Sequence, residues 1–223
     1  MNPTASNAFT ASGAASFTVN CGIQIDSSSS SALSVSGSAC VSGTAINIVG
    51  GDSATCANPT PKTDVDLEAD PLAWLPAPAV GGCNYTNTKV NKGPAPTLNP
   101  GVYCGGITIS GGNGAYVTSG TYILLGGGLT VSGGSWIQGA SPATGVTFYN
   151  TSDASHTWKP ITVSGGSNIT LKAPATGTYE GILFFDRTVS TTQQTVSGGS
   201  GANIEGALYL PNTPLTLCAS PCS

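Results

Sequence analysis

The chain has 223 residues, of which only 7% are charged, and its net charge is −4. Its 31 glycines and 15 prolines exclude an ordinary helical or α/β enzyme. Its six dispersed Lys and Arg residues cannot neutralise a run of phosphates, which excludes nucleic acid as a partner. Because 39% of the residues are apolar and the net charge is small, we expect the chain to fold.

The first quarter of the chain alternates apolar and small polar residues in the manner of β-strands. Residues 33–37 (LSVSG) and 46–51 (INIVGG) each end in a glycine turn, and a cysteine follows each of them, Cys40 and Cys56. If the two runs stack on adjacent layers, these cysteines meet, and we predict a disulfide between them. The serine run at residues 27–31 is either a polar strand edge or a flexible turn.

Residues 57–82 interrupt this pattern. The segment contains five prolines and four of the ten acidic residues of the chain. It is therefore predicted to be a proline-rich acidic excursion that packs on the side of the remaining fold. The apolar residues expected to make this contact are Leu67, Leu72, Trp74 and Leu75.

The cysteines indicate disulfides rather than zinc, because the chain has a single histidine, His156, and no CxxC spacing. Cys83 and Cys104 bracket a 20-residue segment, and we predict a second disulfide between them. Disulfides place the protein in an oxidising, extracytoplasmic compartment. The pairing of Cys21, Cys218 and Cys222 stays open.

A short unit repeats in the remainder of the chain. It reads ITISGG at residues 107–112, LTVSGG at 129–134, ITVSGG at 161–166 and QTVSGG at 194–199. It alternates with a second unit in which glycine precedes a strand rich in aromatic residues, and short strands such as NITL at residues 168–171 lie between the two.

Each cycle of the repeat therefore holds about three strands and no helical period. Repeats of this kind predict an all-β fold, a right-handed parallel β-helix formed as a single domain over residues 1–223. An antiparallel β-sandwich is the alternative.

The polar residues of the repeat point outward when their apolar neighbours point inward. Stacked coils would align them into two hydroxyl files with a spacing of about 4.8 Å, a flat uncharged array that suits an ice or glycan surface. The other interpretation is that Ser and Thr are simply suitable solvent-facing residues on strands. The residues of the two candidate files are Thr108, Ser110, Thr130, Ser132, Thr162, Ser164, Thr195 and Ser197.

Few residues remain for acid–base chemistry. Glycoside hydrolysis needs two carboxylates across a cleft, and the available cluster is Glu180 and Asp186 with Glu205 one cycle later. The simpler interpretation is that Glu180, Asp186 and Arg187 form an ion pair that caps a strand end. His156 is expected in a solvated loop. We predict no catalytic residues, no cofactor and no metal.

Several longer motifs resemble TadG-like proteins of bacterial tight-adherence (Flp) pilus systems. They are residues 20–38 (NCGIQIDSSSSSALSVSGS), 70–73 (DPLA), 75–78 (LPAP), 98–107 (LNPGVYCGGI) and 181–185 (GILFF). The resemblance runs from about Pro3 to Thr216 and corresponds to the exported region that follows a membrane anchor in that family. It implies a role in pilus assembly or at the cell envelope, without an established catalytic activity.

Three functional hypotheses follow. The first is a non-enzymatic, extracytoplasmic structural or adhesive solenoid. Its partners would be pilus or cell-envelope proteins, and it could also self-associate through the solenoid ends. Its attachment to a membrane would depend on an anchor outside this chain. The second is an ice- or glycan-binding module that uses the hydroxyl files. The third is a carbohydrate-active enzyme, which requires its carboxylates to converge in a groove.

Overall fold

Short strands joined by tight turns wind into a parallel β-solenoid of about nine turns. The structure, a computed structural model, describes residues 4–13, 16–198 and 202–219, without the side chains of 198 and 217–219. Strand pairs in these ranges are parallel, and none of these residues is helical. The predicted β-helix is therefore confirmed, and the antiparallel sandwich is ruled out.

The first strands form an N-terminal stack with three strands in a coil. Its residues alternate between inward apolar and outward polar positions, the period of two that a strand with one buried face requires. The strands are β1 (Phe9–Ala11), β2 (Ser16–Thr18), β3 (Gly22–Ile25), β4 (Leu33–Val35), β5 (Cys40–Ser42), β6 (Ala45–Ile48), β7 (Asp52–Ala54) and β8 (Ala57–Asn58).

The later strands form a longer C-terminal stack. They are β9 (Tyr85–Val90), β10 (Thr97–Leu98), β11 (Gly101–Ile109), β12 (Gly114–Val117), β13 (Gly120–Leu125), β14 (Leu129–Val131), β15 (Trp136–Gly139), β16 (Val146–Thr151), β17 (Ile161–Val163), β18 (Asn168–Lys172), β19 (Ile182–Phe185), β20 (Gln194–Gly198), β21 (Asn203–Glu205), β22 (Ala207–Tyr209) and β23 (Leu215–Ala219).

Three faces run along the C-terminal stack. The threonine face consists of residues 107–109 of β11 followed by β14, β17, β20 and β23. The tryptophan face consists of β10, β12, β15, β18 and β21. The strap face consists of residues 101–104 of β11 followed by β13, β16, β19 and β22.

The N-terminal stack lies against the end of the C-terminal stack, because β1 packs beside β23. No ladder hydrogen bonds join the two strands in the described part of the chain. A mainly apolar cavity of about 190 Å³ marks this junction, between Phe9 on one side and Leu208, Leu210 and Leu215 on the other. The solenoid order in space therefore differs from the order in sequence.

The interior of the C-terminal stack is a column of apolar side chains. Four aromatic rings, those of Tyr103, Tyr122, Phe148 and Phe184, follow one another with centroid separations of 5.8, 5.0 and 5.9 Å, and all four residues are at most 1% exposed. Burial raises the pKa of both tyrosines, and their hydroxyls donate to backbone carbonyls, Tyr103 to Asn99 at 2.6 Å. The polar tips of the rings are thus satisfied inside the core.

Glycine pairs form the corners between the threonine and tryptophan faces. Gly133 and Gly134 have φ of 66° and 72°, and Gly165 and Gly166 have φ of 64° and 71°. Only glycine adopts this left-handed region without strain, which explains why each repeat ends in a glycine pair.

The excursion leaves the solenoid later than predicted. Residues 57–58 form β8, which pairs with β5, Lys62 bridges Asn47, and the amide of Val65 donates to the carbonyl of Ile48 at 3.2 Å. The predicted boundary at 57 is wrong, since the third coil of the N-terminal stack needs these residues. We call residues 66–82 the strap.

The strap covers the apolar outer surface of the strap face. Leu75 is buried and Leu72 packs beside it, against a cluster that includes Ile123, Tyr149 and Phe185. Leu67 and Trp74, however, are 64% and 73% exposed, so the prediction that they pack on the solenoid is wrong. The two leucines share this cluster with aromatic residues of the face itself, Tyr149, Phe185 and Tyr209.

Polar contacts fasten the strap to the last coils. The guanidinium of Arg187 donates to the carbonyls of Leu72 and Ala73 at 2.9 and 3.0 Å, and it lies over the rings of Phe185 and Tyr209 at 5.3 and 5.4 Å. A single cation thus satisfies strap carbonyls while it packs on aromatic faces.

Candidate functional site

One threonine lies on each strand of the threonine face. The strand register pairs Thr108 with Thr130, Thr130 with Thr162, and Thr162 with Thr195. These threonines are half-buried, whereas the apolar residues on either side of them, such as Leu129 and Val131 within β14, are fully buried. The side chains therefore point away from the core at strand intervals of about 4.8 Å. We call this set the threonine ladder.

The ladder is longer than the repeat alone indicates. Thr216 on β23 pairs with Thr195 and extends it by one step, and at the other end Lys89 on β9 pairs with Thr108. In the N-terminal stack, the same central strand position holds Thr10, Ser34 and Ser53, which also pair in register.

The serine file is shorter than the threonine ladder. Ser110, Ser132 and Ser164 are half-buried. The backbone amides of Ser132 and Ser164 donate to the carbonyls of Ile109 and Val131 at 3.0 and 2.9 Å. Ser197 is only 4% exposed, so the prediction that it points outward and is accessible is wrong. The serine file of this face therefore offers three accessible positions.

Both predicted disulfides are present. Cys40 bonds to Cys56 in the N-terminal stack, and Cys83 bonds to Cys104 in the C-terminal stack. The second disulfide joins the end of the strap to the strap face. Cys21 is an exposed free cysteine, the side chain of Cys218 is not among those described, and Cys222 lies outside the described residues.

His156 lies in a loop, as expected, where it is half-exposed and stands beside the second disulfide. Its Nδ1 contacts Asp153 Oδ1 at 2.8 Å, and this hydrogen bond lowers the pKa of the Asp153 carboxyl. The ligand atoms of Cys83, Cys104 and His156 lie within 4.8 Å of one another. Metals bind thiolates, and because both sulfurs are bonded to each other, this group does not offer the ligands of a metal site.

Removal of the second disulfide should destabilise the protein. Its sequence separation is 21 residues, for which the chain-entropy model gives a loss of about 3 kcal/mol. We expect the double substitution C83A/C104A to lower the free energy of unfolding by about that amount in urea denaturation. The control C21A, at an exposed free thiol, should change it by less than about 0.5 kcal/mol, and a double variant as stable as wild type would contradict the prediction.

Asp186 is a buried hydrogen-bond acceptor at the end of β19. Its side chain is fully buried, and its Oδ2 accepts from Asn150 Nδ2, Trp158 Nε1 and Gln194 Nε2 at 2.9, 2.8 and 2.9 Å. The amide of Thr188 donates to Oδ1 at 2.8 Å. Neutral N–H groups satisfy this carboxylate. Among the described residues neither Asp186 nor Glu180 pairs with Arg187, so the expected ion pair at this strand end is wrong.

The sequence held one unused signal for this network. The fourth copy of the repeat has Gln194 where the others have an apolar residue. The structure gives the reason, because the Gln194 amide binds Asp186 and Thr213 and its Oε1 accepts from the amide of Ile161 at 3.1 Å.

The three candidate carboxylates have different environments. Asp186 is sealed in the network just described, Glu205 pairs with Lys172 at 2.8 Å, and Glu180 is exposed in a turn before β19. General acid–base hydrolysis of a glycoside requires two carboxyl groups that both reach the substrate, and a fully buried Asp186 does not meet this requirement.

Among the described residues there is no helix long and apolar enough to cross a bilayer. Comparisons with protein-family models, with curated proteins and with solved structures give no significant match.

Proposed function

We propose that the protein is a non-enzymatic, extracytoplasmic structural or adhesive solenoid that contacts a repetitive partner surface through the threonine ladder. The observation that carries this proposal is the in-register stacking of Thr108, Thr130, Thr162 and Thr195 on a parallel sheet. The two disulfides support an oxidising location. The resemblance to TadG-like proteins supports a role in a tight-adherence pilus system.

The ladder suits surface contact for three physical reasons. Threonine is β-branched, so its χ1 is restricted and the hydroxyl and methyl groups are held in place before contact. Each hydroxyl both donates and accepts hydrogen bonds. Repetition along a rigid sheet adds weak contacts without further ordering of the protein, which gives avidity from many small contributions.

The non-enzymatic part of the proposal is supported by the composition and by the carboxylates. The chain has ten acidic residues, four of which lie in or just before the strap. Glu205 forms an ion pair with Lys172 and Asp186 is fully buried, so these two carboxyl groups are not free to act together on a substrate.

A charge placed within the ladder should disrupt adhesion. We expect cells that export the double variant T130K/T162K to attach to surfaces at least about tenfold less than cells that export the wild-type chain, since two buried ammonium groups at the contact cost more than 1.4 kcal/mol. Attachment is measured by retention under flow, and piliation is scored by electron microscopy of the same cells.

The matched control is T178K, an exposed threonine in the turn before β19, which should attach like wild type. Circular dichroism of the purified variants verifies that both remain folded. Normal attachment by folded T130K/T162K, or normal piliation and attachment when the gene is deleted, would overturn the proposal.

Ice is a second candidate for the repetitive surface. The threonine ladder presents a methyl and a hydroxyl at each regular step, and its threonine positions carry no charge from Thr108 to Thr216. The accompanying serines make the array less uniform than a pure threonine surface. Thermal hysteresis of the wild-type chain that T130K/T162K loses would favour ice, and its absence from wild type would remove this candidate.

A further inference from the structure

A second, chemically different surface lies on the tryptophan face. Trp136 on β15 pairs with Gly114 on β12, and a Cβ built on Gly114 would overlap the indole ring. The indole therefore lies over bare backbone. Tyr116 stands beside it, with ring centroids 5.0 Å apart and an interplanar angle of 70°, and both side chains are half-buried.

A column of uncharged polar side chains continues from this aromatic pair. The register pairs Tyr116 with Gln138, Gln138 with Thr170, and Thr170 with Asn203. Gln138 is half-buried, and Thr170 and Asn203 are exposed. One aromatic platform and three hydrogen-bonding side chains thus lie in a row across four successive coils.

The charges on this face cancel. Lys172 and Glu205, at the edge of β18 and β21, form an ion pair at 2.8 Å. An anionic ligand would need unpaired cations, and a peptide that binds through apolar anchors would need a pocket for them. A neutral sheet surface that combines an aromatic ring with amides and a hydroxyl matches a ligand with apolar C–H faces and many hydroxyl groups.

We propose that the tryptophan face binds a neutral polysaccharide, with one pyranose ring packed on Trp136 and its neighbours hydrogen-bonded to Gln138, Thr170 and Asn203. The apolar face of the sugar covers the aromatic ring, and the side-chain amides both donate to and accept from its hydroxyls. This site goes beyond the threonine ladder, from which the glycine corners separate it, and it does not depend on that ladder.

Affinity electrophoresis tests the proposal directly. The wild-type chain is run in native gels that contain hydroxyethylcellulose, galactomannan or glycogen, and we expect retardation by at least one of these neutral polymers. W136A should weaken that binding at least about tenfold, the effect of losing 1.4 kcal/mol of contact. W74A is the matched control, because Trp74 is 73% exposed on the strap and lies outside this face.

Two further variants keep the test decisive if W136A is unstable. G114A retains the tryptophan but displaces its ring, so it should also weaken binding. T170A/N203A alters exposed side chains with little packing and should weaken binding severalfold. The ladder variant T130K/T162K should bind as wild type does, which separates this site from the adhesive function proposed above.

Two results would overturn the inference. The first is wild-type mobility that none of the three polysaccharides changes. The second is retardation of folded W136A, G114A and T170A/N203A equal to that of wild type.

Discussion

Truncation of Phe148 to alanine is expected to lower the free energy of unfolding by about 4 kcal/mol. Phe148 is fully buried and lies in the middle of the aromatic column, 5.0 Å from the ring of Tyr122 and 5.9 Å from that of Phe184. Neighbouring coils are held by their ladder hydrogen bonds and cannot collapse into the space, so both the transfer free energy and the cavity term are lost.

The measurement is urea denaturation followed by tyrosine and tryptophan fluorescence. L67A is the control, because Leu67 is 64% exposed on the strap and its truncation should cost less than about 0.5 kcal/mol. Equal stability of F148A and L67A would mean that the aromatic column does not hold the coils together.

We expect the second large effect from D186A, which should lower the free energy of unfolding by about 3 kcal/mol or more near pH 4. Removal of the carboxyl leaves the buried N–H groups of Asn150 and Gln194 and the half-buried N–H of Trp158 without this acceptor, and each unsatisfied buried donor costs about 1–3 kcal/mol. E180A, which removes an exposed carboxyl a few residues earlier, is the matched control and should be close to neutral.

The cost of D186A should depend on pH. Burial raises the pKa of Asp186, and hydrogen bonds from Thr188 and Trp158 oppose this in part. Between the ordinary Asp pKa of about 3.9 and the raised native value, the folded protein keeps a proton that the unfolded chain has released, so wild-type stability falls as the pH rises. The variant has no such titration.

The difference between wild type and D186A should therefore be largest below about pH 4 and shrink as the pH rises. Urea denaturation of both proteins between pH 3 and pH 8 measures it. A difference that grows with pH would show that the hydrogen bonds outweigh burial and that the native pKa is lowered.

Much of the coil could be predicted because its determinants are local. The TVSGG repeat combines alternating strand residues with glycines whose positive φ the structure requires, as at Gly133 and Gly134. The disulfide between Cys40 and Cys56 was predicted from the stacking of residues 33–37 on 46–51, and that premise is wrong, because Leu33–Val35 stacks on Asp52–Ala54 and Ala45–Ile48 stacks on Gly22–Ile25. The two cysteines meet instead because β5 pairs with β8. The repeat also indicated the threonine ladder, although not its extension to Thr216.

The surface features were harder to predict because they depend on neighbours that are distant in sequence. Trp136 forms a platform only because the preceding coil has Gly114 at the paired position. Asp186 is sealed because an insertion brings Trp158 over it. Leu67 and Trp74 appeared suitable for packing, yet the strap face already carries Tyr149 and Phe185.

The sequence by itself determined the architecture, namely strand length, turn positions and parallel stacking, because each copy of the repeat encodes the same local geometry and the copies align in register. Only the tertiary structure decided how the two stacks meet, with β1 packed beside β23. It also decided that the strap covers one face and that the pair of Tyr116 and Trp136 lies on the outside of another. These outcomes depend on which surfaces remain unpaired once the coils have formed, and a repeat that is the same in every coil carries no information about its own ends.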